Sequence, residues 1–132
     1  MKKLNIWLTK IGEPLPVDSS IRKMRTSILA DQLVKEGHNV VWWTSSFDHY
    51  KKRWIYEEDT DLELGENFKI KALCGLGYKK NISFRRYIDH RIIAWKFRRF
   101  AFKMPKPDII IASTPPYDLA YQSVKFAKEK KI

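Results

Sequence analysis

The sequence predicts an α/β chain: an open, mainly parallel, twisted sheet flanked by helices, with one short antiparallel hairpin. Two observations carry this. Short β-branched and aromatic runs alternate with longer segments of helical periodicity, and a glycine closes the first helical segment directly before the next strand. Composition agrees, because 44% hydrophobic and 31% charged residues among 132 can fill a core and are too apolar for a disordered chain.

Leu4-Asn5-Ile6-Trp7-Leu8 reads as a buried strand. Residues 9–20 form a polar loop centred on Gly12-Glu13-Pro14-Leu15-Pro16, and Asp18, Ser19 and Ser20 are N-cap residue types. Residues 21–36 read as a helix, with Met24, Ile28, Leu29, Leu33 and Val34 at helical spacing. Gly37 stops it, since glycine takes the left-handed conformation without a Cβ penalty, and His38 behind it is structural. Asn39-Val40-Val41-Trp42-Trp43-Thr44 is the second strand. Strand, helix and strand in so short a span make a βαβ unit with parallel strands and a right-handed crossover.

Residues 45–52 are a polar loop beyond that strand. Residues 53–57 and 68–73 look like short strands, with an acidic segment and Gly65-Glu66-Asn67 between them, which suggests a hairpin or two edge strands. Cys74-Gly75-Leu76-Gly77-Tyr78 reads as a flexible exit. Residues 83–103 form a long helix with Ser83 as N-cap. It carries two apolar stripes: Phe84, Ile88, Ile92, Trp95 and Phe102 on one side, Ile93, Phe97 and Phe100 on the other. One buried face needs one stripe, so the second implies either a further contact or a kinked helix packing both. Met104-Pro105-Lys106-Pro107 ends it. Asp108-Ile109-Ile110-Ile111-Ala112-Ser113 is a third parallel strand, Thr114-Pro115-Pro116 a turn, and residues 117–131 a helix with Leu119, Ala120, Val124 and Ala127 toward the core. Trp7, Trp42 and Ile110 should share the pleated core. The pattern calls for a further strand after the last helix, so the chain reads as a piece of a longer protein.

Several classes drop out. A single cysteine, Cys74, excludes a disulfide scaffold and fits a reducing compartment. The apolar stretch behind Lys2 and Lys3 is too short for a signal peptide, and no run reaches the ~20 apolar residues of a spanning helix. The net charge of +11 is local: residues 79–106 hold ten basic side chains against Asp89 alone, while the rest is nearly neutral. That segment needs an anionic partner or an acidic neighbour. The acidic run from Glu57 to Glu66 could compensate it. Otherwise the basic helix meets an anionic membrane surface or an anionic lipid-linked substrate, with Arg85, Arg86, Arg91, Trp95, Arg98 and Arg99 as the membrane-surface residues. Nucleic acid is the weaker partner, since no helix-turn-helix or RNP-type signature accompanies the interleaved aromatics.

The chemical motifs are mostly negative. There is no G-x-G-x-x-G, no G-x-x-x-x-G-K-[ST], no G-x-S-x-G and no metal-ligand spacing among His38, His49 and His90. No catalytic residue and no metal ligand is assigned. Topology is more informative, because ligands of open α/β sheets sit beyond the carboxyl ends of the strands. The loops there offer Gly12, Glu13, Arg22, Arg25, His49, Lys52, Ser113 and Thr114 as substrate-binding candidates, with both arginines in the first helical turns near a positive helix end. Each has a plainer reading: Glu13 as an exposed carboxylate, the arginines as solvated helix charges, His49 as an ordinary loop histidine.

The order of these motifs resembles the start of bacterial family-four glycosyltransferases of surface polysaccharide assembly. It is carried by Gly12-Glu13-Pro14-Leu15-Pro16, Arg22 and Arg25, Leu29-Ala30 with Leu33, Glu36-Gly37-His38, Val40-Val41-Trp42-Trp43-Thr44-Ser45, Phe47-Asp48-His49 and Lys51-Lys52-Arg53. Gly77-Tyr78-Lys79-Lys80-Asn81, His90-Arg91 and Pro107-Asp108-Ile109-Ile110-Ile111-Ala112-Ser113 extend it over nearly the whole chain. The resemblance implies a GT-B architecture, of which residues 1–132 would be the Rossmann-like N-terminal, acceptor-side domain. It implies retaining transfer from a nucleotide-sugar co-substrate, with no other cofactor, to a lipid-linked or saccharide acceptor. It further implies a C-terminal donor-binding domain as partner and a cytoplasmic location, peripheral on the inner face of the plasma membrane. The Gly-Gly pair of many members is here Gly12-Glu13, and the paired-glutamate motif of the second domain is absent from the chain. The chain alone is therefore expected to be inactive. The rival reading is a non-catalytic α/β module that binds anionic membrane through the basic helix 83–103.

Overall fold

The computed structural model describes residues 2–17, 22–80, 82–114 and 116–132. A five-stranded sheet is built from β1 (Asn5–Thr9), β2 (Asn39–Ser45), β5 (Thr60–Gly65), β6 (Phe68–Leu73) and β7 (Ile109–Ala112), in the order β5-β6-β2-β1-β7. β6, β2, β1 and β7 run parallel, and β5 is antiparallel to β6. A separate antiparallel pair joins β3 (Phe47–Asp48) to β4 (Arg53–Trp54). The helices are α1 (Arg25–Lys35), α2 (Phe84–Ala101) and α3 (Tyr117–Lys130). The chain is thus α/β with a mostly parallel mixed sheet.

Strand alternation divides the core in two. Ile6, Leu8, Val40, Trp42 and Ile70 pack with Ala30 of α1 on one face. Trp7, Trp43 and Leu73 pack with Ile93 and Phe97 of α2 and Leu119 and Phe126 of α3 on the other. Trp7 pairs in register with Val41 and Ile110. Trp42 belongs to the opposite face, so the partner of Trp7 is Trp43, with ring centroids 5.2 Å apart. His38 is buried and its Nδ1 accepts the Leu4 N–H at 3.1 Å, a structural role.

Several boundaries and faces differ from the sequence reading. The hairpin's first arm is the acidic segment itself, because Asp61 and Glu63 can face Lys71 and Lys69 across the ladder and opposite charges in register are favourable. Residues 53–57 contribute only β4, paired to β3 inside the supposed loop. α1 begins at Arg25, leaving Arg22 before the helix, and its buried positions are Thr26, Ser27 and Ala30 while Met24 and Ile28 are exposed. α3 buries Leu119, Ser123 and Phe126, and Val124 faces outward. Ser123 Oγ donates to Thr9 Oγ1 at 2.9 Å and ties α3 to β1. The N-cap candidates Asp18, Ser19 and Ser20, the helix start at Ile21, and Asn81 and Pro115 lie outside the described residues.

Ser83 caps α2 as expected, its Oγ accepting the Arg86 N–H at 3.2 Å. Of the two stripes, Ile93 and Phe97 are core, whereas Phe84, Ile88, Trp95 and Phe102 are exposed. The exit after β6 is held in place. Asp89 of α2 is buried, and its Oδ1 accepts the Gly77 N–H at 2.8 Å. Arg85 Nη2 donates to the Leu76 carbonyl at 3.0 Å. A Cβ on Gly75 would stand 2.4 Å from Asp89 Oδ1, so only glycine fits against this carboxylate.

Candidate functional site

The four parallel strands all end on one rim, at Thr9, Ser45, Leu73 and Ala112. The order β6-β2-β1-β7 means that the chain steps outward from β1 to β2 and β6 and then crosses back to place β7 on the other side of β1. The gap between β1 and β7 is therefore a topological switch point, where segments splay and leave a crevice.

Three segments close this crevice. Residues 10–13 leave β1. The β3–β4 hairpin brings His49 over the rim. The pinned exit of β6 presents Tyr78, whose hydroxyl lies 2.7 Å from His49 Nδ1. Arg86 and His90, four apart and so on one face of α2, complete it. A cavity of about 160 Å³ is lined by Lys10, Gly12, His49, Tyr78, Arg86 and His90, among others. The Arg86 guanidinium sits 5.6 Å from the Tyr78 ring centroid. Lys52 stands on the neighbouring side, 5.4 Å over the same ring, and its ammonium donates to the His49 carbonyl.

Burial, then the charge of Arg86 and the proximity of His49, push His90 down to about 4. Burial and the charges of Lys52 and Arg86 lower His49 as well, against the pull of Asp48. Burial raises the Tyr78 phenol. At neutral pH the cavity therefore presents two neutral imidazoles and a protonated phenol beside Arg86 and Lys10, and burial lowers the Lys10 ammonium against the pull of the nearby Glu13 carboxylate.

Of the substrate-binding candidates, Gly12 and His49 line this cavity, and with Glu13 they line an adjoining one of about 610 Å³. Lys52 lines a third, of about 640 Å³. Arg22 is exposed and lines none of these; Arg25 is exposed in the first turn of α1. Ser113 bonds its N–H to the Thr9 carbonyl at 3.1 Å, and Thr114 is exposed beside it; neither lines the three cavities.

Glu13 has a committed partner. One carboxylate oxygen accepts the Thr26 N–H at 2.9 Å and the other accepts the Thr26 hydroxyl. The N-cap residue of α1 is Met24, which offers no side-chain cap. Glu13 thus supplies from a distance the negative charge that a helix N-terminus favours. Glu13→Ala is expected to lower stability by about 1 kcal/mol, read as a fall in the urea midpoint, while Glu13→Asp, too short to reach both groups, recovers only part of it.

Among the membrane-surface candidates, Arg91, Trp95 and Arg99 share an exposed face, with Arg91 over the Tyr87 ring and Arg99 over the Trp95 ring. Arg85 is exposed but tied to Leu76. Arg86 turns into the cavity, and Arg98 forms an ion pair with Glu129 of α3 at 2.7 Å.

Sequence reasoning missed Lys10, Tyr78, Arg86 and His90 as rim residues. The Arg86–His90 spacing was the available signal. Among the described residues no cluster of His, Cys, Asp and Glu could hold a metal ion, and no helix is long and apolar enough to cross a membrane. Comparison with family models, with curated proteins and with solved structures finds no match in any of the three.

Proposed function

We propose that this chain is the N-terminal, acceptor-side half of a retaining glycosyltransferase, moving sugar from a nucleotide-sugar to a lipid-linked saccharide in cell-surface polysaccharide synthesis. The single observation that carries the reading is the cationic crevice at the β1/β7 switch point, lined by Lys10, His49, Tyr78, Arg86 and His90. Fixed positive groups at that place suit a phosphate-bearing ligand. The chain's own part is to bind and orient; a C-terminal domain would supply the remaining donor contacts and the transfer chemistry.

Titration of the ¹⁵N-labelled chain with a panel of nucleotide-sugars tests this. Saturable shifts are expected at Gly12, His49, Tyr78 and His90, without turnover by the chain alone. Robust transfer by the isolated chain, or shifts confined to the outer face of α2, would overturn it.

A second reading is favoured by that outer face. Phe84, Tyr87 and Trp95 are 87%, 58% and 57% exposed, with Arg91 between Tyr87 and Trp95 and Arg99 one turn beyond Trp95. Such a face suits an anionic interface, where aromatics settle at headgroup depth and arginines meet lipid phosphate. Flotation with anionic but not neutral liposomes, lost in Trp95→Ala with Arg99→Gln, is expected; equal flotation with both lipids counts against it.

A further inference from the structure

Tyr78 lines both the crevice and a second compartment, to which the sugar-transfer reading gives no ligand. This is a groove of about 640 Å³ between the β3–β4 hairpin and the segment that joins β6 to α2. Its floor is apolar. Phe47 and Trp54 pack edge to face with ring centroids 5.1 Å apart, and Tyr78 tilts against Phe47 at 4.9 Å. Gly77 permits this close packing, since a Cβ there would stand 3.0 Å from the Trp54 ring and 3.2 Å from that of Phe47. Leu76 adds an exposed aliphatic side chain beside them.

The rim is cationic. Lys52 and Arg53 come from the hairpin, and Lys79, Lys80 and Arg85 from the other wall. Lys52 and Arg85 donate to the carbonyls of His49 and Leu76, neutral acceptors that leave both charges uncancelled. Among the described residues Arg53, Lys79 and Lys80 enter no ion pair. Two carboxylates adjoin the groove: Asp48 across the ladder from Arg53, and the buried Asp89 in the field of Arg85. Both already accept backbone N–H groups. Five cations against two carboxylates leave the groove three positive.

The arrangement selects among anionic partners. A nucleic-acid strand needs free ring faces for its bases, and here the rings meet one another while Lys52 and Arg86 already stand over Tyr78 at 5.4 and 5.6 Å. A single-headed lipid engages only one or two of five spread charges. Carboxylates spaced along a chain, on either side of an aliphatic side chain, engage both walls and the floor together. The chain's own Asp59, Asp61 and Glu63 are paired with Lys96, Lys71 and Lys69, which points to another protein as the source of such a segment. We propose that this groove docks an acidic peptide segment of a partner protein, its aliphatic side chain set on Trp54 and Leu76 and its carboxylates on Arg53, Lys79, Lys80 and Arg85. This goes beyond sugar transfer and does not rest on it.

The test is a ¹⁵N shift titration of the 132-residue chain with a capped peptide in which a leucine is flanked by two glutamates on each side. Saturable binding with a Kd of about 1 mM or below is expected, moving the Trp54 indole and the amides of Leu76, Gly77, Lys79 and Lys80 while Gly12 and His90 stay still. Glutamines in place of the glutamates should weaken it about tenfold. Lys79→Gln with Lys80→Gln should weaken it about fivefold. The same loss of charge by Lys125→Gln with Lys128→Gln, exposed on α3, should change it by less than about twofold. Leu76→Ser is the second variant and should abolish the preference for leucine over serine at the centre of the peptide. No saturable binding, or equal weakening by the two double variants, overturns the site. Tighter binding of oligothymidylate or of dodecyl phosphate than of the peptide overturns the choice of partner. Peptide binding here with nucleotide-sugars failing to bind leaves the docking groove standing and removes the sugar-transfer reading alone; the reverse result removes this proposal alone.

Discussion

Phe97→Ala is expected to lower the unfolding free energy by about 3–5 kcal/mol, a large part of the ~5–15 kcal/mol that a domain of this kind holds. Phe97 is fully buried and meets three aromatic neighbours. Its ring stands edge-on to Trp43 at 5.0 Å, to Trp7 at 6.2 Å and to Phe126 at 5.9 Å. Each edge-to-face contact adds to the area burial, and truncation leaves a void bordered by rigid rings from β1, β2 and α3 that cannot collapse into it. Phe84→Ala removes the same side chain from the same helix at a position 87% exposed, and is expected to stay within about 0.5 kcal/mol of wild type. Urea midpoints at constant m-value measure both. Equal losses in the two variants would show that the stripes of α2 have been assigned to the wrong sides.

That contrast also shows how far the sequence could be read. The alternation of strand and helix was legible because parallel strands buried on both faces read as continuous apolar runs, as β1 and β2 do. The two stripes of α2 were legible as two stripes. Which of them was core was not, because Phe84, Ile88 and Trp95 are as apolar as Ile93 and Phe97, and only the sheet's position breaks the tie. The hairpin was misplaced because β5 is rich in acidic residues that propensity assigns to turns; the ladder's lysines override it. At the site, Gly12 and His49 were reachable from topology alone. Tyr78 was not, since its placement depends on a buried carboxylate, Asp89, drawing the Gly75–Gly77 segment inward across a sequence distance of more than ten residues. Arg86 looked like one more charge in a basic run, and only the helical phase of His90 separates it from Arg91.

Acidification from pH 6.5 toward 4 is expected to destabilise the chain through His90. Its imidazole is held at about 4, against an ordinary 6.5 in the unfolded chain, by burial and by Arg86. Between those values the unfolded state takes up a proton that the folded state refuses, so falling pH favours unfolding. The gap converts, at about 1.4 kcal/mol per pH unit, to about 3 kcal/mol at full strength, and the partial exposure of the ring reduces this to about 1–2 kcal/mol. His49, lowered by the same kinds of neighbour, acts in the same direction. Asp89 acts in the opposite one. Burial raises its carboxyl above 3.8, so from pH 3.8 upward the unfolded carboxyl ionises first, and this group favours the fold as pH falls. Urea midpoints from pH 7 down to 4.5 separate the two. His90→Gln should flatten the acid loss by about 1–2 kcal/mol, and Asp89→Asn should steepen it. A His90→Gln curve as steep as that of wild type would mean that the imidazole is solvated. It would then titrate as a surface histidine, outside the cationic crevice to which Arg86 and Tyr78 assign it.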